Sequence, residues 1–354
     1  MKKIKINSLN KNKFYKTKDL ILITTLTFLI AVIPAKKIYD HVNNTYIFQN
    51  IEEDKKSEEN IKDEVKKEEI IDIKNLNFSN NGISFCNTHF KLSEELLNKF
   101  NSLIKNYGGD CSFLAINLND GMSFGYNIDK AYSTASTIKV AFALYSFKEM
   151  DKGNGSLDEL KVYEEKFRRD GSGILKNKKS GTNYTLKDLF YYTLNYSDNV
   201  AYYMVHDRFY NAGYNEFLKE LGCNQLYLNN GAKWGKIDAR SMALIWQEIY
   251  KYKDETENGK YLFELLTNAE YNYIAEGMEN YESAHKSGWT PRETHDSAIV
   301  FANDDYIVVT LNQNNGNYSA KKQLLKVCEC IEAVIDEYTL FKEENKNKQK
   351  TLIK

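Results

Sequence analysis

Apolar positions along this chain fall into regions of different period. Residues 20–35 (LILITTLTFLIAVIPA) form one apolar run framed by lysines. Residues 36–82 show no sustained period, and the stretch 52–69 is almost wholly charged and of mixed sign. Such a stretch cannot bury enough apolar surface to fold alone, so it reads as a solvated stalk. Periodic patterning begins near Ile83. Residues 93–105 (SEELLNKFNSLIK) carry apolar positions at helical spacing behind a Ser cap with Glu nearby. Residues 111–118 (CSFLAINL) predict a strand, Asn119-Asp120-Gly121 a turn, and 122–126 the returning strand. A long helical middle spans roughly 136–250. Strands are expected at 283–286, 298–302 and 306–312, the last two joined through Asn303-Asp304-Asp305, and a final helix at 318–338. Strands at both ends with helices between predict one sheet built from both ends of the domain, with a helical lobe beside it.

Composition narrows the picture. The 354 residues allow one or two domains with a real core. A net charge of -1 supplies no global basic field, so no nucleic-acid partner is expected. The five cysteines (Cys86, Cys111, Cys223, Cys328, Cys330) are odd in number and lack zinc spacing, and buried free thiols are the expectation. The five histidines show no ligand spacing either, so neither metal nor cofactor is expected.

The run 20–35 is about 16 residues, at the short end for a spanning helix. Lys2, Lys3, Lys5, Lys11, Lys13, Lys16 and Lys18 precede it and place residues 1–19 on the inner side, with Lys36 and Lys37 a slight counterweight. A cleaved signal peptide and an uncleaved anchor compete; Ile33-Pro34-Ala35 is a poor cleavage site, which favours the anchor. Only about 19 residues precede the run, leaving no room for an inner domain. The expected organisation is a basic inner segment (1–19), a membrane anchor (20–35), a charged stalk (36–82), a folded extracytoplasmic domain (83–340) and a polar tail (341–354), with the membrane and a small substrate as expected partners and the chain a monomer.

Three motifs carry candidate chemistry. Ser136-Thr137-Ile138-Lys139 places a hydroxyl and an amine at i and i+3, one face of a helix. A serine needs a base to become a nucleophile, and a lysine serves only if its pKa is depressed by burial or a second cation. Ser8/Lys11, Ser102/Lys105 and Ser319/Lys322 share the spacing, but Ser136 alone opens an apolar helix after a hairpin, where its N–H favours developing negative charge. Ser197-Asp198-Asn199 combines a hydroxyl that can relay a proton with a side chain, Asn199, that can bind a substrate amide, although Ser and Asp are also ordinary helix caps. Lys286-Ser287-Gly288, near the end of an edge strand, offers a cation and a hydroxyl to a carboxylate and a close backbone approach at Gly288. Lys179-Ser180-Gly181 repeats the letters in a polar loop.

In this order the three motifs resemble those of penicillin-recognising serine hydrolases, and the sequence is most similar to class A β-lactamases. The likeness extends to Gly171-Ser172-Gly173-Ile174-Leu175, to Tyr184-Thr185-Leu186 before the second motif, and to His295-Asp296-Ser297-Ala298-Ile299-Val300. It implies an α/β (α+β) fold with a mainly antiparallel sheet, helices on both faces and an all-helical lobe. It implies that Ser136 is acylated, Lys139 is base or relay, and Ser197 passes the proton to the leaving amine. Asn199, Lys286, Ser287, Gly288 and Trp289 would bind substrate, with the N–H groups of Ser136 and Trp289 as oxyanion hole.

One departure stands out. Class A enzymes carry a Glu-x-x-Leu-Asn loop whose Glu activates the deacylating water; the corresponding stretch, 223–238 (CNQLYLNNGAKWGKID), holds no Glu. Asn229 and Asn230 can orient a water but cannot accept its proton. Acylation by a β-lactam or a D-Ala-D-Ala-type cell-wall peptide is therefore expected to outrun deacylation. The activities left open are a β-lactamase with an unusual deacylation route, a D,D-peptidase-like enzyme, and a penicillin-binding sensor. Neither His285 nor the tyrosine pairs 191–192 and 202–203 are expected to act chemically.

Overall fold

The computed structural model describes residues 71–78, 82–107, 110–314 and 319–352. The expected inner segment, the apolar run 20–35 and the stalk up to residue 70 lie outside the described residues; among the described residues no helix is long and apolar enough to cross a membrane.

In chain order the elements are β1 (Ser84–Cys86), α1 (Glu94–Asn106), β2 (Cys111–Asn117), β3 (Ser123–Tyr126), β4 (Tyr132–Ser133) and α2 (Ile138–Asp151). The middle supplies β5 (Leu160–Val162), β6 (Asn183–Thr185), α3 (Leu186–Asn195), α4 (Asn199–Phe209), α5 (Ala212–Leu221), β7 (Lys236–Ile237), α6 (Ala239–Tyr252), α7 (Glu257–Thr267) and α8 (Tyr273–Gly277). The chain returns through β8 (Glu282–His285), β9 (Gly288–Trp289), β10 (Glu293–Phe301), β11 (Asp305–Gln313) and α9 (Ala320–Leu352).

One antiparallel sheet runs β1-β3-β2-β11-β10-β8, with β9 also paired to β10. Its centre joins the two ends of the domain: β2 pairs β11 from Cys111 opposite Asn312 to Asn117 opposite Tyr306. The central strands read as unbroken apolar runs because both faces are covered. Phe113 and Ala115 pack with Phe100 of α1 and Leu324, Val327, Ile331 and Val334 of α9. Their neighbours Leu114 and Ile116 point to the opposite face, into the cluster built by α2, α6 and the rest of the helical lobe. Period-two alternation thus sorts one strand into two cores. Helix α2 is buried on nearly every side, Lys139 included, which explains its lack of a polar face.

The structure departs from the sequence reading in four places. The expected helical middle is interrupted: between α2 and α3 the chain holds the paired strands β5 and β6 and no α-helix, and β7 precedes α6. β10 begins at Glu293, well before the expected residue 298. The added residues Thr294, His295, Asp296 and Ser297 are polar yet buried. Their partners lie in other elements, so no local pattern marks them as strand. The folded body begins at residue 71: Ile73 and Leu76 are buried, and Arg240 of α6 donates to the carbonyls of Ile73 (2.7 Å), Lys74 (3.0 Å) and Leu76 (2.8 Å). Finally, residues 341–352 continue α9 instead of forming a tail, as a Glu/Lys-rich segment of good helix formers can. The five cysteines are free thiols, and all but Cys86 are buried.

Candidate active site

Ser136 sits in a 3-10 turn (Ala135–Thr137) that feeds directly into α2. The preceding Ala135 has φ +44, a left-handed conformation that a residue with a Cβ rarely holds. The turn is clamped from two directions. His295 on β10 donates through Nε2 to the Ser133 carbonyl at 2.9 Å, while its Nδ1 accepts from the Asn312 N–H at 3.1 Å. That pairing fixes a neutral tautomer, and burial pushes the imidazole down to about 4. On the other side Gly288 presses against the turn: a Cβ there would lie 2.7 Å from the Ser136 nitrogen and 2.8 Å from that of Thr137. Only glycine lets β9 pass this close to the N–H of the serine.

Ser197 occupies the bend between α3 and α4, again left-handed at φ +53. Its neighbours supply the energy that holds it there. Asp198 caps α4 by accepting from Ala201 N (3.0 Å) and also accepts from Leu175 N (2.8 Å). Asn199 N donates to the Ser172 carbonyl at 3.1 Å, and Asn199 Nδ2 to that of Asp170 at 2.9 Å. The glycines at 171 and 173, at φ +95 and +96, leave the room: a Cβ at Gly173 would come within 2.2 Å of the Asp198 carboxylate. The Gly171 to Leu175 stretch is thus a cradle for the Ser197 bend.

These two bends bring the motifs together. Lys139 Nζ, fully buried, donates to Ser197 O (2.5 Å), Asn199 Oδ1 (2.9 Å) and Ser197 Oγ (3.3 Å). Lys286 Nζ, also buried, reaches the same Ser197 Oγ at 3.2 Å and the Ser287 carbonyl at 2.9 Å. One hydroxyl therefore bridges two lysines. Burial first, and the Lys286 charge second, hold Lys139 well below the ordinary lysine value, against a smaller opposing pull from Asp198. Burial brings Lys286 down to about 8, with Asp296 opposing. Ser287 is buried beside it, while the Trp289 ring is 63% exposed at the edge of β9. A neutral Lys139 amine one helical turn from Ser136 can take its proton, and a charged Lys286 can hold an anion.

The other copies of the motifs do not converge here. Ser102, Lys105, Ser319 and Lys322 are exposed on or beside α1 and α9, and Lys179-Ser180-Gly181 lies in an exposed loop; Ser8 and Lys11 lie outside the described residues. His285 is tied to Asp296 Oδ1 (3.2 Å) and the Ala269 carbonyl (3.1 Å), and Asp296 also accepts from the N–H groups of Tyr273, Ile274 and Ser297. These two brace β8 against β10 beneath Lys286.

Sequence reasoning missed two aromatic residues. The rings of Tyr202 and Trp234 each lie 5.6 Å from Lys139 Nζ and 5.4 Å from each other. Trp234 belongs to the loop between α5 and α6, where only the absence of Glu had drawn notice. The loop's one acidic residue, Asp238, is buried and caps α6 through Ser241 N at 2.6 Å. Asn229 contacts Asn215 of α5 instead, 3.4 Å away.

The comparisons agree with this geometry. The model of the beta-lactamase enzyme family matches residues 95–328. A curated relative, β-lactamase SME-1 of Serratia marcescens, is 26% identical over 149 residues. That match covers 42% of this chain and 50% of the relative, so the chain spans about half the length of the curated relative it matches. Among solved structures, a single-residue mutant of PBP-A, in an acyl-enzyme complex with penicillin G, superposes with a TM-score of 0.62 at 19% identity, covering 68% of this chain and 97% of that one. The β-lactamase of Sphaerobacter thermophilus gives 0.60 at 19% identity, over 67% and 95%, and that of Burkholderia vietnamiensis 0.60 at 19%, over 70% and 98%. These likenesses establish the class A β-lactamase-like fold, and with the matched family model they show that this chain belongs to the beta-lactamase enzyme family, whose members include serine hydrolases of the β-lactamase and penicillin-binding kind.

Proposed function

We propose that the protein is an acyl-transfer enzyme that forms a long-lived ester between Ser136 and a β-lactam or a D-Ala-D-Ala-type peptide. The observation that carries this reading is the single hydroxyl, Ser197 Oγ, shared by Lys139 and Lys286. In acylation the neutral amine of Lys139 takes the Ser136 proton as Oγ bonds to the carbonyl carbon. The carbonyl oxygen gains negative charge and is met by the N–H groups of Ser136, in its 3-10 turn, and Trp289, on β9, which Gly288 allows to pass close together. When the C–N bond breaks, the proton travels from Lys139 through Ser197 Oγ to the leaving nitrogen. Asn199 orients Lys139 and the substrate amide, and Lys286 with Ser287 binds the substrate carboxylate.

Fast deacylation needs a base that polarises a water on the face of the ester opposite the leaving group. The loop 223–238 offers only Asp238, which is committed to its helix cap. This favours the D,D-peptidase-like reading over a fast β-lactamase. Residues 20–35 then hold the domain at the outer face of the membrane, as the preceding lysines favour. Stopped-flow nitrocefin hydrolysis tests the proposal. It should show a burst of one equivalent followed by a steady rate at least about a hundredfold slower, the factor a general base usually supplies. A linear trace without a burst would overturn it.

A further inference from the structure

Trp234 lies beside Lys139 on the loop that holds no Glu. Its ring and that of Tyr202 flank Lys139 Nζ, each 5.6 Å away. The loop that carries it is pinned on both sides of the ring. Tyr202 Oη donates to Lys233 O (2.8 Å), His206 Nε2 to Ala232 O (3.1 Å), and Lys233 Nζ to His206 Nδ1 (2.7 Å). After the ring, Gly235 exchanges hydrogen bonds with Thr134, two residues before the nucleophile: Thr134 N to Gly235 O at 3.1 Å and Gly235 N to Thr134 Oγ1 at 3.3 Å. His206 is itself sandwiched between Phe142 and Tyr210, with ring centroids at 4.9 and 4.5 Å, so the anchor of the loop is rigid.

We infer that Trp234 sets the lifetime of the acyl-enzyme by filling, with Tyr202, the space beside Lys139 from which water would reach the Ser136 ester. The inference rests on the acyl-transfer reading above. To clear the ester, a water oxygen must bond to the acyl carbon while the C–Oγ bond breaks, the water's proton passing to Oγ as the free acid leaves. That step requires room for the water and an acceptor for its proton. An indole offers neither, since its N–H only donates and its faces are apolar. The Tyr202 hydroxyl is already spent on Lys233. Asn229 and Asn230, the residues of this loop that could orient a water, are set apart: Asn229 contacts α5, and Asn230 is an exposed turn residue at φ +52.

Intact mass spectrometry of the penicillin G adduct, followed over time after excess drug is removed, tests this with the parent protein and Trp234→Phe, Trp234→Ala and Trp234→Glu. Trp234 is 37% exposed on a loop, and the Phe variant keeps the wall. The adduct should persist equally, within about twofold, in parent and Trp234→Phe. It should decay at least about tenfold faster in Trp234→Ala and about a hundredfold faster in Trp234→Glu, where room and base are both supplied. Equal lifetimes in all four proteins would overturn the inference. So would acceleration in Trp234→Glu alone, since an added base would then suffice without any wall having excluded water. A parent that forms no adduct would instead remove the acyl-transfer reading beneath it.

Discussion

Lys139 and Lys286 converge on one serine hydroxyl, and their charges decide when the site works. Lys286, held to about 8, must be charged to bind a carboxylate, whereas Lys139 must be neutral to accept a proton. The second-order rate of acylation should therefore fall above about pH 8, and Lys286→Arg, which stays charged, should remove that basic limb. Lys286→Met should raise the Lys139 pKa by deleting a neighbouring charge, moving the acid limb to higher pH. Rates of adduct formation across pH 5–10 check both shifts. The same burial costs stability. A lysine whose folded pKa lies near 8 against an ordinary 10.5 carries a penalty of about 3 kcal/mol. That penalty is complete below pH 8 and is relieved as pH climbs from 8 to 10.5. Urea denaturation should accordingly find Lys286→Met more stable than the parent by up to about 3 kcal/mol at pH 7, with the gain shrinking toward pH 10. At this scale the motif residues were legible because their letters are local: Ser136 and Lys139 lie three apart. Trp234 and His295 were not, because what each does depends on a partner 95 or 162 residues away in sequence, Lys139 for one and Ser133 for the other.

Elements position these side chains through bends that store strain. Ala135 and Ser197 both hold positive φ, and each bend is fixed by a separate segment, β9 and β10 for the first and the 171–175 cradle for the second. Gly173→Ala should push the Asp198 carboxylate out of its cap and displace Ser197 and Asn199 with it. The acylation rate should drop by at least about a hundredfold, as for a misplacement of about an ångström, while circular dichroism shows the helices intact. The sequence marked these glycines only as part of a family likeness; the 2.2 Å clearance is what makes one of them obligatory. The pattern also located β2, β3, β11 and α1 to within a residue or two, since their apolar period is set by burial, against two cores for β2 and β11 and against one for β3 and α1. It stopped short on β10, where buried polar residues answer to partners in other elements.

On the scale of the whole molecule, the sheet joins the two ends of the domain, and the helical lobe is hung between β3 and β8. The segment 71–78 fastens across this body through Arg240, which also pairs with Asp129 at 2.6 and 3.0 Å. Arg240→Met should release it and cost on the order of 3 kcal/mol in urea denaturation, given three carbonyl bonds and a half-exposed ion pair. The sequence placed this segment in the stalk because Ile71, Ile73, Leu76 and Phe78, set among polar residues beside a charged run, are too few to make a period. The layout of one sheet with a helical lobe beside it, by contrast, was legible in the order strand, helix and strand, and the fold family in the likeness of the three motifs. On the proposed function this architecture makes a Ser136 ester and then keeps it. Time-resolved intact mass after a pulse of penicillin G tests that most directly. The account predicts a gain of one penicillin mass on the parent, localised to the peptide containing Ser136, stable over many minutes and absent in Ser136→Ala. Rapid loss of the drug with no adduct on the parent, or an adduct of equal yield on Ser136→Ala, would contradict it.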